Sequence, residues 1–174
     1  FTLSGGALFF AANDWTNGTE LWRSDGTSNG TVLVRDIWPG TSASWPQYLC
    51  NSTGALLFVA NDGTNGYELW TSDGTSNGTR LVRNIGPAST NAGISAVKDI
   101  GGQVLFPAND ALAGTELWFS DGSSNGTRMA RDIMPGGGSS SPQGLTGVGT
   151  AAVFSASDGL TGIEFWKSDG TSNG

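Results

Sequence analysis

The chain has 174 residues, 28 of them Gly, and its eight Lys and Arg against fifteen Asp and Glu leave a net charge of −7 with no His. An apolar content of 37%, including seven Trp, excludes a disordered linker, because such a chain has ample surface to bury against the entropy cost of ordering. The basic residues are scattered, which argues against nucleic acid or anionic lipid as a partner, and no apolar run reaches the ~18 residues of a membrane span, so no membrane insertion is expected. Cys50, the sole cysteine, rules out a disulfide within the chain and reads as a half-buried strand residue.

Self-similarity organises the chain. Trp22, Trp70, Trp118 and Trp166 are each 48 positions apart, and their surroundings keep the same register with no insertion. The units run approximately 1–48, 49–96, 97–144 and 145–174, the last incomplete. Phe10, Asp14, Gly18, Glu20, Ser24-Asp25-Gly26 and Ser28-Asn29-Gly30 recur at equivalent places in every unit.

Within the first unit, residues 6–12 predict a strand that is apolar on both faces and stops at Asn13-Asp14. Residues 19–24 predict a second strand, the cluster 25–30 a turn, and residues 31–37 a third strand ended by Pro39-Gly40. A weaker fourth, around residues 46–49, is expected to close the unit. Four short antiparallel strands per unit without helical periodicity predict an all-β fold of β-propeller blades, about three and a half being present. A sandwich would show one polar face per strand, and a β-helix would need shorter coils.

If strands two and three pair across a four-residue turn, Trp22 faces Leu33 and Glu20 faces Arg35. The same register predicts structural ion pairs Glu68–Arg83 and Glu116–Arg131, and a Glu repeated in every unit argues scaffold over catalysis, which needs a paired carboxylate in one cleft. Asp25-Gly26-Thr27 reads as a turn lock, Asp closing the turn and Gly supplying positive φ. The carboxylates of Asp14, Asp25, Asp62, Asp73, Asp110 and Asp121 are the only candidate calcium ligands, and their spacing departs from an EF-hand loop, so no cofactor is expected.

The repeated Trp reads as core. Trp15, Trp38 and Trp45 differ, because they are private to the first unit where other units hold mostly small residues, and they mark a candidate contact surface. Sequons occur at Asn17, Asn29, Asn51, Asn77 and Asn125. Those in Asn-Gly-Thr of the hairpin arise from turn chemistry alone, and they become glycosylation sites if the source is a eukaryotic secretory pathway.

The run Glu20-Leu21-Trp22-Arg23-Ser24-Asp25-Gly26-Thr27, followed by Gly30-Thr31 and Val34-Arg35-Asp36-Ile37-x-Pro39-Gly40, resembles the ELWxxDGT repeat family over the whole chain. Phe165 replaces Leu in the last copy and Ser123 replaces Thr in the third. The resemblance implies large secreted or surface proteins with hyalin-like or adhesive character, built of propeller blades, and it carries no catalytic residue. The expectation is therefore a non-enzymatic extracellular structural or adhesive module binding extracellular proteins or glycans, with a lectin-type propeller as the alternative. The last copy stops at Asn173-Gly174, leaving Glu164 without an Arg, so the remainder of a longer chain or other copies are expected to complete it.

Overall fold

The computed structural model describes residues 1–87 and 89–174, which form fifteen strands in four antiparallel sheets and, among the described residues, no helix. The first sheet holds β1 (Thr2–Ser4), β2 (Ala7–Asn13), β3 (Thr19–Ser24) and β4 (Val32–Arg35). The second holds β5 (Gln47–Ser52), β6 (Ala55–Asn61), β7 (Tyr67–Ser72) and β8 (Arg80–Arg83). The third holds β9 (Lys98–Asp99), β10 (Val104–Asn109), β11 (Thr115–Ser120) and β12 (Arg128–Arg131). The fourth has three strands, β13 (Gln143–Val148), β14 (Ala151–Ser157) and β15 (Ile163–Ser168). Each sheet is a meander whose spatial order follows the chain.

The weak strand near residues 46–49 does not close its own unit. It is the start of β5, which turns at Thr53-Gly54, both at positive φ, and pairs with β6 of the following sheet. The tight turn fixes that pairing, whereas a long segment separates β5 from β4. β1, which lies outside the strands expected from the sequence, plays the same part in the first sheet.

Alternation of side chains explains why the strands read as apolar throughout. In the first sheet Phe9, Leu21 and Val34 lie on one face, here the Leu face, and Leu8, Phe10, Ala12 and Trp22 on the other, the Trp face. The Leu face of each sheet packs on the Trp face of the next. Phe9, Leu21, Val34 and Ile37 meet Leu56, Phe58, Ala60 and Trp70. The second and third sheets join through Leu57, Val59, Leu69 and Val82 against Val104, Phe106, Ala108 and Trp118. Leu105, Leu117, Phe119 and Ala130 then meet Ala152, Phe154 and Ala156. Three cores of one design hold four sheets together, each fully buried Leu or Phe contributing about 1.5–3 kcal/mol.

The first strands come together in succession, β1 with β5, β5 with β9 and β9 with β13. Thr2 Oγ1 donates to the Leu49 carbonyl at 3.0 Å, and Ser4 Oγ to Asn51 Oδ1 at 2.9 Å. Between β3 and β4 the register slips by one residue: Trp22 faces Leu33 as expected, but Leu21 faces Arg35, with Val34 as the extra residue of a bulge. The same slip recurs in the second and third sheets.

Candidate functional site

The bulge decides the fate of the repeated Glu. Arg35, Arg83 and Arg131 lie opposite Leu21, Leu69 and Leu117, so the expected pairs Glu20–Arg35, Glu68–Arg83 and Glu116–Arg131 are replaced by a different arrangement. Glu20 is fully buried and binds the segment after β4. Its carboxylate accepts from the backbone N–H of Ile37 at 3.0 Å, Trp38 at 3.4 Å and Ser44 at 2.9 Å, and from Ser44 Oγ at 2.6 Å. Glu116 repeats this with Ile133 N–H, Ser140 N–H and Ser140 Oγ at 2.8, 2.9 and 2.7 Å. A buried carboxylate supplied with several donors needs no counter-ion to stay satisfied.

Glu68 differs because Ala92 stands where the other units have Ser44 and Ser140. Among the described residues it accepts from Ile85 N–H and Gly86 N–H, each at 2.9 Å, while the Ala92 N–H donates to the Tyr67 carbonyl. Burial raises its pKa to about 7, against the two N–H bonds that lower it. Burial also raises Glu20, countered first by the Ser44 hydroxyl. Each Arg instead reaches the next unit: Arg35 Nη1 donates to the Thr79 carbonyl, Arg83 Nη1 to Thr127 at 2.7 Å and Arg131 Nη1 to Ser172 at 3.4 Å.

Each calcium candidate turns at least one carboxylate oxygen onto its own loop. Asp14 Oδ1 accepts from Thr16 N–H and Asn17 N–H, and Oδ2 from Asn17 Nδ2, and Asp62 repeats the pattern with Thr64 and Asn65. Asp110 Oδ1 takes the N–H of Leu112 and Ala113. Asp25 Oδ1 accepts from both the N–H and the hydroxyl of Thr27, at 2.9 and 2.7 Å, and Asp73 and Asp121 do the same with Thr75 and Ser123. These bonds hold Asp14 and Asp25 below the usual carboxylate range. A Cβ at Gly30 would overlap the Asp25 carboxylate, which explains the Gly in every Ser-Asn-Gly turn. Among the described residues, no three His, Cys, Asp or Glu side chains come together as a metal site.

Of the sequons, Asn29, Asn77 and Asn125 are exposed in these turns. Asn51 is exposed while its Oδ1 accepts from Ser4 Oγ and Gly54 N–H, and Asn17 is half-buried against Asp14.

The three private Trp fall into two groups. Trp38 packs across the junction onto the next unit, where a Cβ at Gly63 would strike its ring, and Met134 sits likewise over Gly159. Where the first partner shrinks to Gly86, the second grows to Ala111. This exchange of volumes was readable from the sequence by comparing the two columns, and it makes Trp38 a junction residue. Trp15 and Trp45 are 90% and 55% exposed, with φ of 65° and 49°, a conformation that the same places keep in other units with Gly63, Ala111 and Gly159 and with Gly93 and Ser141. The repeated Trp is core, as expected: Trp70 and Trp118 are buried between sheets.

A cavity of about 500 Å³ is lined by Phe1, Phe10, Gln47 and Tyr48 among others. Glu20, Glu68 and Glu116 do not line it. The repeated Glu carboxylates thus serve to close the loops that follow the fourth strands.

No family model and no curated protein matches this chain. Two solved structures share its fold. The computationally designed Ika8 protein aligns at 19% identity and a TM-score of 0.51, covering 98% of this chain and 45% of its own. A puromycin hydrolase mutant complexed with PGG aligns at 18% identity and a TM-score of 0.62, covering 95% and 26%. The chain thus spans less than half the length of either.

Proposed function

We propose that the chain is a non-enzymatic structural and adhesive repeat module of an extracellular or cell-surface protein, its sheets acting as blades of a β-propeller and its loops meeting protein or matrix partners. The observation that carries this reading is that the carboxylates able to act, Glu20, Glu68, Glu116 and the turn Asp, recur from unit to unit and accept hydrogen bonds from their own loops. Catalytic sites need an acid, base or nucleophile facing a substrate cavity. The blade reading is supported by the succession of first strands and by one face-on-face packing used three times. The ELWxxDGT resemblance adds the extracellular setting.

A lectin-type module is the second reading, favoured by the exposed Trp15 and Trp45, aromatic rings of the kind on which sugars stack. Binding of the immobilised chain to extracellular-matrix proteins and to a glycan array, each with and without Ca²⁺, separates the two. Metal-independent capture of a matrix protein with no sugar bound is the expected result. Sugar binding abolished by Trp45→Gly would replace the adhesive reading with the lectin one, and failure to bind either class would remove both.

A further inference from the structure

The turns that mark the repeat carry a chemically labile pair. In Asn-Gly the missing Cβ lets the Gly nitrogen swing onto the carbonyl carbon of the preceding side chain, which makes this the Asn most prone to lose its amide. Such pairs include Asn29-Gly30, Asn77-Gly78 and Asn125-Gly126 in the hairpin turns, and Asn17-Gly18 and Asn65-Gly66 in the loops before them. The hairpin turn cannot avoid its Gly, since a Cβ at Gly30, Gly78 or Gly126 would lie on the carboxylate of Asp25, Asp73 or Asp121. Asn29, Asn77 and Asn125 are also exposed to water.

The reaction forms a bond from Gly N to Asn Cγ and breaks the bond from Cγ to Nδ2. The amide nitrogen leaves as ammonia, taking up the proton that the Gly nitrogen gives up. Water then opens the cyclic imide at either carbonyl, leaving Asp or its β-linked isomer. The net change is amide plus water to acid plus ammonia, and no other reactant is needed.

In each hairpin turn the attacking nitrogen is already engaged. Gly30 N–H donates to Thr27 Oγ1 at 2.9 Å, Gly78 N–H to Thr75 Oγ1 at 2.9 Å and Gly126 N–H to Ser123 Oγ at 3.0 Å. These hydroxyls are themselves aimed, because each donates to the Asp that opens its turn, at 2.7, 2.7 and 2.6 Å. The pairs outside the hairpins hold the leaving group instead: Asn17 Nδ2 donates to Asp14 Oδ2 and Asn65 Nδ2 to Asp62 Oδ2, both at 2.7 Å. Asp-Gly pairs form the same imide by losing water, and there too the Gly nitrogen is held. Gly26, Gly74 and Gly122 N–H donate to Ser24, Ser72 and Ser120 Oγ, each at 3.0 Å.

We infer that the Asn-Gly pairs of the hairpin turns are latent deamidation sites, which the hydroxyl of Thr27, Thr75 or Ser123 keeps closed in the folded chain. The one replacement in that column, Ser123 for Thr, keeps the hydroxyl and drops only the methyl. The inference needs the turns alone and stands or falls apart from the adhesive reading.

The 174-residue chain, produced without glycosylation, tests it. Wild type, Thr75→Val and Thr75→Ser are incubated in mildly alkaline buffer, and deamidation at Asn29, Asn77 and Asn125 is followed separately by peptide mapping with mass spectrometry. Wild type in urea gives the rate of the open chain. Thr75→Val should raise the rate at Asn77 about three- to tenfold, the equivalent of one hydrogen bond that no longer has to break before attack. Asn29 and Asn125 should keep their wild-type rates, which shows that the variant is folded, and Thr75→Ser should match wild type throughout. An unchanged rate at Asn77 in Thr75→Val, or a native wild-type rate equal to that in urea, would overturn the inference. A rise at all three sites together would overturn it too, because the hydroxyl would then act only through overall stability.

Discussion

Raising the pH through neutrality should weaken the second unit by ionising Glu68. Its folded pKa of about 7 lies above the ordinary glutamate value of 4.5, so between these values the folded chain holds a proton that the unfolded chain has released. Stability from this group is fully present below the unfolded pKa and is lost as pH rises through the folded one. At about 1.4 kcal/mol for each tenfold change in proton affinity, the loss between pH 5 and 8 comes to about 2–3 kcal/mol. Urea unfolding at both pH values, on wild type and Glu68→Gln, isolates it. Glu20, also shifted upward, titrates in both proteins and cancels in the difference. Ala92→Ser should then shrink the slope by supplying the hydroxyl that Glu20 receives from Ser44 at 2.6 Å. If wild type and Glu68→Gln lose stability in parallel across this range, Glu68 is not the group that titrates and the comparison among the three Glu is wrong.

Two further substitutions probe turn and junction. Gly18→Ala places a Cβ onto the Ser42 carbonyl at a φ of +70° and should cost about 3 kcal/mol in thermal or urea unfolding, whereas Gly137→Ala, with open space and no positive φ, should be neutral or stabilise by about 0.5 kcal/mol. Arg83→Met removes the bond to the Thr127 carbonyl and should lower stability by about 1–2 kcal/mol. A reduced denaturant slope in that variant would report loosened coupling between the second and third sheets.

Much of this architecture was legible in one sequence because the repeat compares itself. Constant columns named the Phe, Trp and Asp of the sheets and turns, and the period of 48 set the units. The hairpin of the second and third strands was legible from the Asp25 to Gly30 turn that joins them. What escaped was the edge strand ahead of each hairpin, the register beyond the turn and the contacts made across longer loops. The segment around residue 47 was assigned to the wrong sheet, since its partner is chosen by the Thr53-Gly54 turn that follows it. The Glu20–Arg35 pairing failed for a single inserted residue, because a regular ladder continued from the four-residue turn gives a register that the bulge overrides. Ser44, the partner that matters to Glu20, lies 24 positions away, and only its replacement by Ala92 in the second unit hints at a role.

That inserted residue also gives the molecule a polarity. Without Val34 as an extra residue, Arg35 would project beside Trp22, toward the preceding unit. With it, Arg35 shares the side of Leu21 and fastens to Thr79, 44 positions ahead. Each unit thus holds its successor and is held by its predecessor. A unit reversed in the stack would bring two guanidinium groups together at one boundary and none to the other. One residue of slack in the last strand is enough to make the order of units readable in only one sense.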